Sequence, residues 1–180
     1  MKIIAIGGNP GSGKSTLMKR VIEYYTPEKK YDAFKLVPYL QNNKIYILGK
    51  YDEGEVFSGT DRMSMAVQPE AIKFLASLPA DSIVLYEGDR LFTASFLEYC
   101  AEKYDLKIIH LSTSAEVREE RYKERESNQN VTWLQGRETK INNILTNMSL
   151  LFFVESFDNN NHFEQEILFQ SIINEVNNEH

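Results

Sequence analysis

Gly8-Asn9-Pro10-Gly11-Ser12-Gly13-Lys14-Ser15 fits the pattern G-x-x-x-x-G-K-S/T, and its flanks complete the arrangement that the pattern requires. Before it, Lys2-Ile3-Ile4-Ala5-Ile6 is a short apolar run suited to a buried strand; after it, Ser15 to Tyr24 reads as a helix. Strand, glycine-rich turn and helix together make a phosphate-binding loop. Its glycines leave no Cβ in the way and accept positive φ, so successive backbone N–H groups can converge on phosphate oxygens. The helix N-terminus adds partial positive charge at the same place. Gly8, Asn9, Pro10, Gly11, Ser12, Gly13, Lys14, Ser15 and Thr16 are therefore expected to bind a nucleoside triphosphate with Mg²⁺. Lys14 reaches the β- and γ-phosphates, the Ser15 hydroxyl ligates the metal, and Thr16 donates to the α-phosphate.

Outward from this loop, strands alternate with helices, the pattern of a parallel α/β sheet. Ser82–Tyr86 and Lys107–Leu111 read as buried strands, and Glu70–Leu78, Ala94–Tyr104, Ser114–Ser127, Trp133–Asn147 and Phe163–Val176 as helices. Phe34–Tyr39 and Lys44–Leu48, flanking Gln41-Asn42-Asn43, look like a hairpin with an Asn-rich turn. Leu150–Glu155 reads as extended. With 180 residues, no repeats and no long linker, a single domain over 1–180 is expected.

The composition, 42% apolar and 26% charged, is that of an ordinary globular chain. Cys100 stands alone, so neither a disulfide framework nor a cysteine metal site can form within the chain, and a reducing, cytoplasmic setting fits. No stretch approaches the ~18 apolar residues of a membrane span. The first apolar run ends after five residues in the loop, so it does not read as a signal peptide. A formal charge of −6 and a pI near 5.2 argue against non-specific binding to duplex nucleic acid.

The strand Ile83-Val84-Leu85-Tyr86 runs into Glu87-Gly88-Asp89-Arg90. Parallel sheets bind ligands at the carboxyl ends of their strands, which sets Glu87 and Asp89 beside the triphosphate. One carboxylate would hold the metal, with Ser15 and Glu87 as the expected ligands, and the other would orient or deprotonate an attacking hydroxyl. Arg90 divides between substrate contact and a neighbouring ion pair. Arg118, Arg121 and Arg125 share one helix face among interspersed glutamates. Cations so placed stabilise the charge that develops on a transferring phosphoryl group, and Arg121 and Arg125 are assigned that role. Arg137 and Lys140, one turn apart, would extend the cationic surface toward an acceptor.

Gly49 to Pro69 is the least generic stretch, a long loop with glycines, hydroxyl residues and the pair Asp61-Arg62. Asp61 is a candidate base for the acceptor and Arg62 a candidate grip on a phosphate. Tyr51 and Phe57 offer faces for stacking a base, and Asn159-Asn160-Asn161 a nucleobase rim.

The glycine-rich loop, the E-G-D-R turn and the arginine-bearing helix together resemble the P-loop nucleoside and nucleotide kinases, thymidylate kinases among them, over most of the chain. The Gly49–Pro69 segment and the W-L-x-G-R-x-T-K run at Trp133–Lys140 resemble phage-type kinases of DNA hypermodification, which phosphorylate the hydroxymethyl group of 5-hydroxymethyl-deoxyuridine in DNA. The resemblance implies a three-layer P-loop fold with a mainly parallel five-stranded sheet, an added β-hairpin and a helical lid over about 114–147. It implies an ATP- and Mg²⁺-dependent kinase acting on a nucleoside-like acceptor, in the host cytoplasm if phage-encoded. The acidic pI counts against a DNA acceptor, and a flipped or single-stranded nucleotide, which needs less basic surface than duplex readout, lessens that objection. A free deoxynucleoside or deoxynucleoside monophosphate is the alternative acceptor. A regulatory module with slow ATP hydrolysis is the alternative of another class. N-K-x-D, the base-reading motif of GTPases, is absent.

Overall fold

The computed structural model describes residues 1–55, 57–124 and 130–178. Its centre is β1 (Lys2–Gly8), whose alternating side chains seed both faces of the core. Ile3 and Ala5 pack into one apolar cluster, Ile4 and Ile6 into the other, and all four are fully buried. Each of the three isoleucines contributes about 1.5–3 kcal/mol by leaving water.

Around β1 the sheet runs β2-β3-β4-β5-β1-β6-β7, seven strands in all. Five of these, β4 (Ile45–Leu48), β5 (Ile83–Glu87), β1, β6 (Asp105–Ser112) and β7 (Val154–Asp158), are mutually parallel. Two antiparallel strands, β3 (Tyr39–Asn42) and β2 (Glu28–Lys30), extend one edge. The hairpin is thus part of the sheet, its second strand being one of the parallel five.

Helices α1 (Lys14–Tyr25) and α6 (His162–Asn177) cover one face. The other face carries α2 (Val67–Ser77), α3 (Ala94–Lys103) and the C-terminal part of α5 (Val131–Leu145). The expected three layers are present. Helix α4 (Ala115–Glu124) buries none of its residues, and α5 buries only Ile141 and Ile144. This pair is therefore held at its ends rather than by an apolar face.

Three local readings differ from the structure. Residues 34–38 form turns, with Leu36 at φ 59° and Val37 N–H bonded to Phe34 O, so the first hairpin strand begins at Tyr39. Gln41 and Asn42 belong to that strand, and Asn43 alone takes the left-handed turn conformation, φ 50°. Leu151–Phe153 is a 3-10 turn, so the last strand starts only at Val154. The short β2 has mainly charged side chains and gave no apolar signal.

Candidate active site

The glycine-rich loop joins β1 to α1 at the carboxyl edge of the sheet. Gly11 and Gly13 take φ of 77° and 90°, and α1 begins with neither a capping side chain nor an acid in its first turn. Its first N–H groups remain directed at the loop. The carbonyls on the outer side of the loop are all engaged by side chains. Lys14 Nζ donates to Gly8 O (2.8 Å) and Asn9 O (3.0 Å), and Tyr122 Oη donates to Pro10 O (2.6 Å). Arg121 donates to Gly11 O (2.9 Å) and Asn159 Nδ2 to Ser12 O (2.6 Å). The Ser12 N–H closes a turn onto Asn9 O (3.1 Å), and with the carbonyls fixed the other N–H groups of the loop suit an anion. Ser12 Oγ and Asn9 Oδ1 are buried without a hydrogen-bond partner in the same place, polar atoms with unused bonding capacity at a cradle shaped for a phosphate chain.

Asn159 is fully buried and also accepts from Arg121 (2.8 Å) through its carbonyl. It is a brace for the loop rather than the nucleobase rim that its position in the sequence suggests. Arg118 and Tyr122 of α4, with Leu134 and Glu138 of α5, line a cavity of about 200 Å³ against Asn9 and Pro10. Arg125 lies outside the described residues.

β5 delivers Glu87 to the floor of the site, 1% exposed. Ser15 Oγ donates to Glu87 Oε1 at 3.2 Å, so the hydroxyl from α1 and the carboxylate from β5 meet as a hard-oxygen pair suited to Mg²⁺. Burial pushes the Glu87 carboxyl up to about 7, with Lys14 opposing and Asp61 reinforcing the shift.

Asp61 sits in a 3-10 turn (Thr60–Arg62) of the long loop, and its Oδ1 accepts the Asp89 N–H at 2.6 Å. Burial holds its carboxyl above the ordinary value despite that bond. Asp89 itself is committed elsewhere. Its carboxylate pairs with Arg137 and stands 3.9 Å from Lys140 Nζ, and its carbonyl accepts from Lys140 at 2.7 Å. One residue of the turn therefore anchors α5 and orients Asp61.

The turn and the loop meet through glycine. Gly59 has φ 70°, exchanges backbone bonds with Lys50 (2.8 and 3.2 Å), and a Cβ there would stand 2.3 Å from Glu87 Oε1. Only glycine permits that approach.

The remaining expected residues divide. Arg62 pairs with Asp52 at 2.7 Å and lies 3.7 Å from Glu55, while Asp52 also holds Lys29 at 2.8 Å. Arg90 donates to Met63 O at 3.3 Å, an intramolecular tie between turn and loop. Tyr51 is buried, with its N–H donating to the Tyr31 hydroxyl, and is core rather than a stacking face. Phe57 is exposed. Thr16 is exposed on the first turn of α1. Sequence reasoning missed Tyr122, Gly59 and the Lys140 tie to Asp89; only the glycine, next to a serine in a long loop, carried any local signal.

A family model described as P-loop Nucleotide Kinase3 matches residues 1–152. No curated protein matches. Among solved structures, a gluconokinase from Sinorhizobium meliloti 1021 is 14% identical over 97% of each chain with a TM-score of 0.47. An uncharacterised protein from Eubacterium ventriosum ATCC 27560 is 15% identical over 98% of each chain with a TM-score of 0.48. At this identity neither likeness speaks to substrate.

Proposed function

The chain belongs to the P-loop nucleotide kinase3 family, and from that premise we propose that it transfers the γ-phosphate of ATP to a hydroxyl of a nucleoside-like acceptor. The specific acceptor proposed is the hydroxymethyl group of 5-hydroxymethyl-deoxyuridine in DNA. The observation that carries the reading is the convergence of Ser15, Glu87 and Asp61 within a continuous set of contacts at the carboxyl edge of the sheet. A slow hydrolase acting as a switch has no need for a second carboxylate on a glycine-shaped loop facing the first.

The roles follow from the surroundings. Lys14 and the loop N–H groups bind the triphosphate. Ser15 and Glu87 would hold Mg²⁺, which when bound neutralises charge on the phosphates. Asp61 is the base, because burial raises its proton affinity while its bond to Asp89 N–H fixes its direction. Asp89 is a positioning residue, since Arg137 and Lys140 occupy it. Arg121, already on the loop carbonyl, closes on the transferring group.

The test is transfer of radiolabelled γ-phosphate to deoxynucleosides, deoxynucleoside monophosphates, plain DNA and DNA carrying 5-hydroxymethyl-deoxyuridine. Label on the modified DNA alone is expected. Label on a free nucleoside or monophosphate replaces the acceptor, and phosphate released to water alone overturns the kinase reading. Asp61→Asn is expected to retain ATP binding and lose transfer by about 10²-fold or more; unchanged transfer removes Asp61 as the base.

A further inference from the structure

Helix α5 turns one stripe of side chains toward the reacting centre and carries it outward to an exposed ring. Lys140 and Arg137 hold Asp89, whose N–H orients Asp61. Trp133 lies one turn further out on the same face. The Arg137 guanidinium stands 5.0 Å from the centroid of its ring, so one side chain links the indole to the Asp89 carboxylate. Trp133 is 38% exposed, and α5 buries nothing before Ile141. The indole, the only tryptophan of the chain, therefore completes no core. Gly136 adds a second observation. A side chain three residues after Trp133 would lean back toward it, since helical side chains tilt to the N-terminus. Glycine supplies none, and apart from the helix's own backbone nothing lies within 4 Å of the place its Cβ would take. Glycine inside a helix is unfavourable relative to alanine, and no packing here requires it. An indole steadied by Arg137 and left open beside Gly136 suits a planar aromatic ligand.

Distance identifies the ligand. Trp133 stands about two turns, on the order of 10 Å, from Lys140 along α5, and helical side chains lean toward the N-terminus, away from Lys140. A base whose hydroxymethyl group meets Asp61 keeps its own ring beside that carboxylate, so it cannot also cover the indole. A neighbouring base of the same strand can. Stacking also fits the charge of this chain. A formal charge of −6 opposes phosphate contacts, whereas a stacked base needs none. We propose that Trp133 is a stacking platform for the nucleobase next to the acceptor in a single DNA strand, with Arg137 as the positioning residue that ties the ring to Asp89. This rests on the proposed DNA acceptor for its purpose, though the stacking is measured without transfer.

Because the chain has a single tryptophan, its emission reports this ring alone. A short oligodeoxythymidylate is expected to quench it saturably, and an abasic strand of the same phosphate count is expected not to. Quenching by thymidine at the same base concentration as the strand would make the ligand the acceptor's own base and overturn the assignment; no quenching by the strand overturns it outright. Trp133→Leu is expected to weaken binding of a fluorescein-labelled oligodeoxythymidylate by about tenfold, the weight of one stacked base, and Trp133→Phe to restore most of it. Gly136→Leu, which fills the open side without altering the ring, is expected to weaken binding as well. Phe152→Ala, which removes an exposed ring preceding β7, is expected to change nothing. Binding of a fluorescent ATP analogue reports that each variant is folded. Equal affinity of Trp133→Leu and wild type, or an equal loss in Phe152→Ala, overturns the proposal. In transfer to DNA carrying 5-hydroxymethyl-deoxyuridine, abasic neighbours should raise KM with little change in kcat, and should add nothing in Trp133→Leu. Quenching by the strand without transfer to any acceptor leaves the platform standing and overturns the kinase reading. Transfer to the modified DNA that is indifferent to Trp133→Leu and to abasic neighbours does the reverse.

Discussion

The two sides of the site are built on different physics. On the loop side, side-chain donors from α1, α4 and the segment after β7 hold backbone carbonyls from Gly8 to Ser12, and what they present is a set of N–H groups. On the opposite side, carboxylates are presented directly, Glu87 and Asp61, with Asp89 tied to Arg137 and Lys140. Backbone dipoles do not titrate, so the first side is indifferent to pH. Buried carboxylates do, and a conformation that depends on their charge is both fragile and tunable. The lesson is that a binding cradle can be made from geometry alone, whereas a proton-handling surface has to store unfavourable burial.

The largest expected effect lies on the loop side. Lys14→Ala removes the side chain that donates to Gly8 O and Asn9 O and is proposed to reach the phosphates, and transfer should fall by about 10³-fold or more in single-turnover measurement. A loss of less than tenfold would mean that backbone dipoles suffice without it.

Glu87→Gln tests the other side, with two readouts of opposite sign. Transfer should drop by about 10²-fold or more. Stability should rise above neutral pH. The folded state keeps the Glu87 proton up to about 7, while the unfolded chain releases it near 4.5. Between those values the folded state binds more protons, so wild-type stability declines as pH rises through the window. The variant lacks that penalty, about 3 kcal/mol by pH 8 and close to nothing below pH 4.5. Thermal unfolding at both pH values checks it; a difference independent of pH would show that charge burial is not the cause.

Gly59→Ala attacks the junction between the acceptor loop and β5. The new Cβ meets Glu87 at 2.3 Å in a left-handed backbone conformation. A stability loss of about 2–3 kcal/mol is expected, with binding of an ATP analogue retained in the folded fraction. Equal loss of ATP binding would join the two sides into one unit. The smallest effect is expected from Tyr122→Phe, which removes one bond to Pro10 O. It should weaken ATP by about fivefold, worth about 1 kcal/mol, in an isothermal titration.

The fold was readable from β1 and the loop because both are local. A five-residue apolar run and an octet of fixed spacing specify strand, turn and helix with no help from the rest of the chain. The inner parallel strands and the covering helices followed from short continuous apolar runs and from apolar residues at helical spacing. The polar strand β2 left no such trace, and neither did the turns at 34–38, where Phe34 and Val37 are apolar yet packed from a loop. Glu87 was nameable from the E-G-D-R turn, but its raised proton affinity was not, since that depends on the burial that the folded chain imposes. Asp89 illustrates the same limit. A carboxylate in an acidic turn reads as a base until α5, some fifty residues later, places Arg137 and Lys140 on it.

What the sequence by itself determined is the glycine-rich loop with its lysine and hydroxyl, because that geometry lies within one loop and the first turn of one helix. What only the tertiary structure decided is how Glu87, Asp61 and Asp89 are buried and paired. Proton affinity and pairing are set by burial and by neighbours far along the chain, and neither is a property of residue type or spacing.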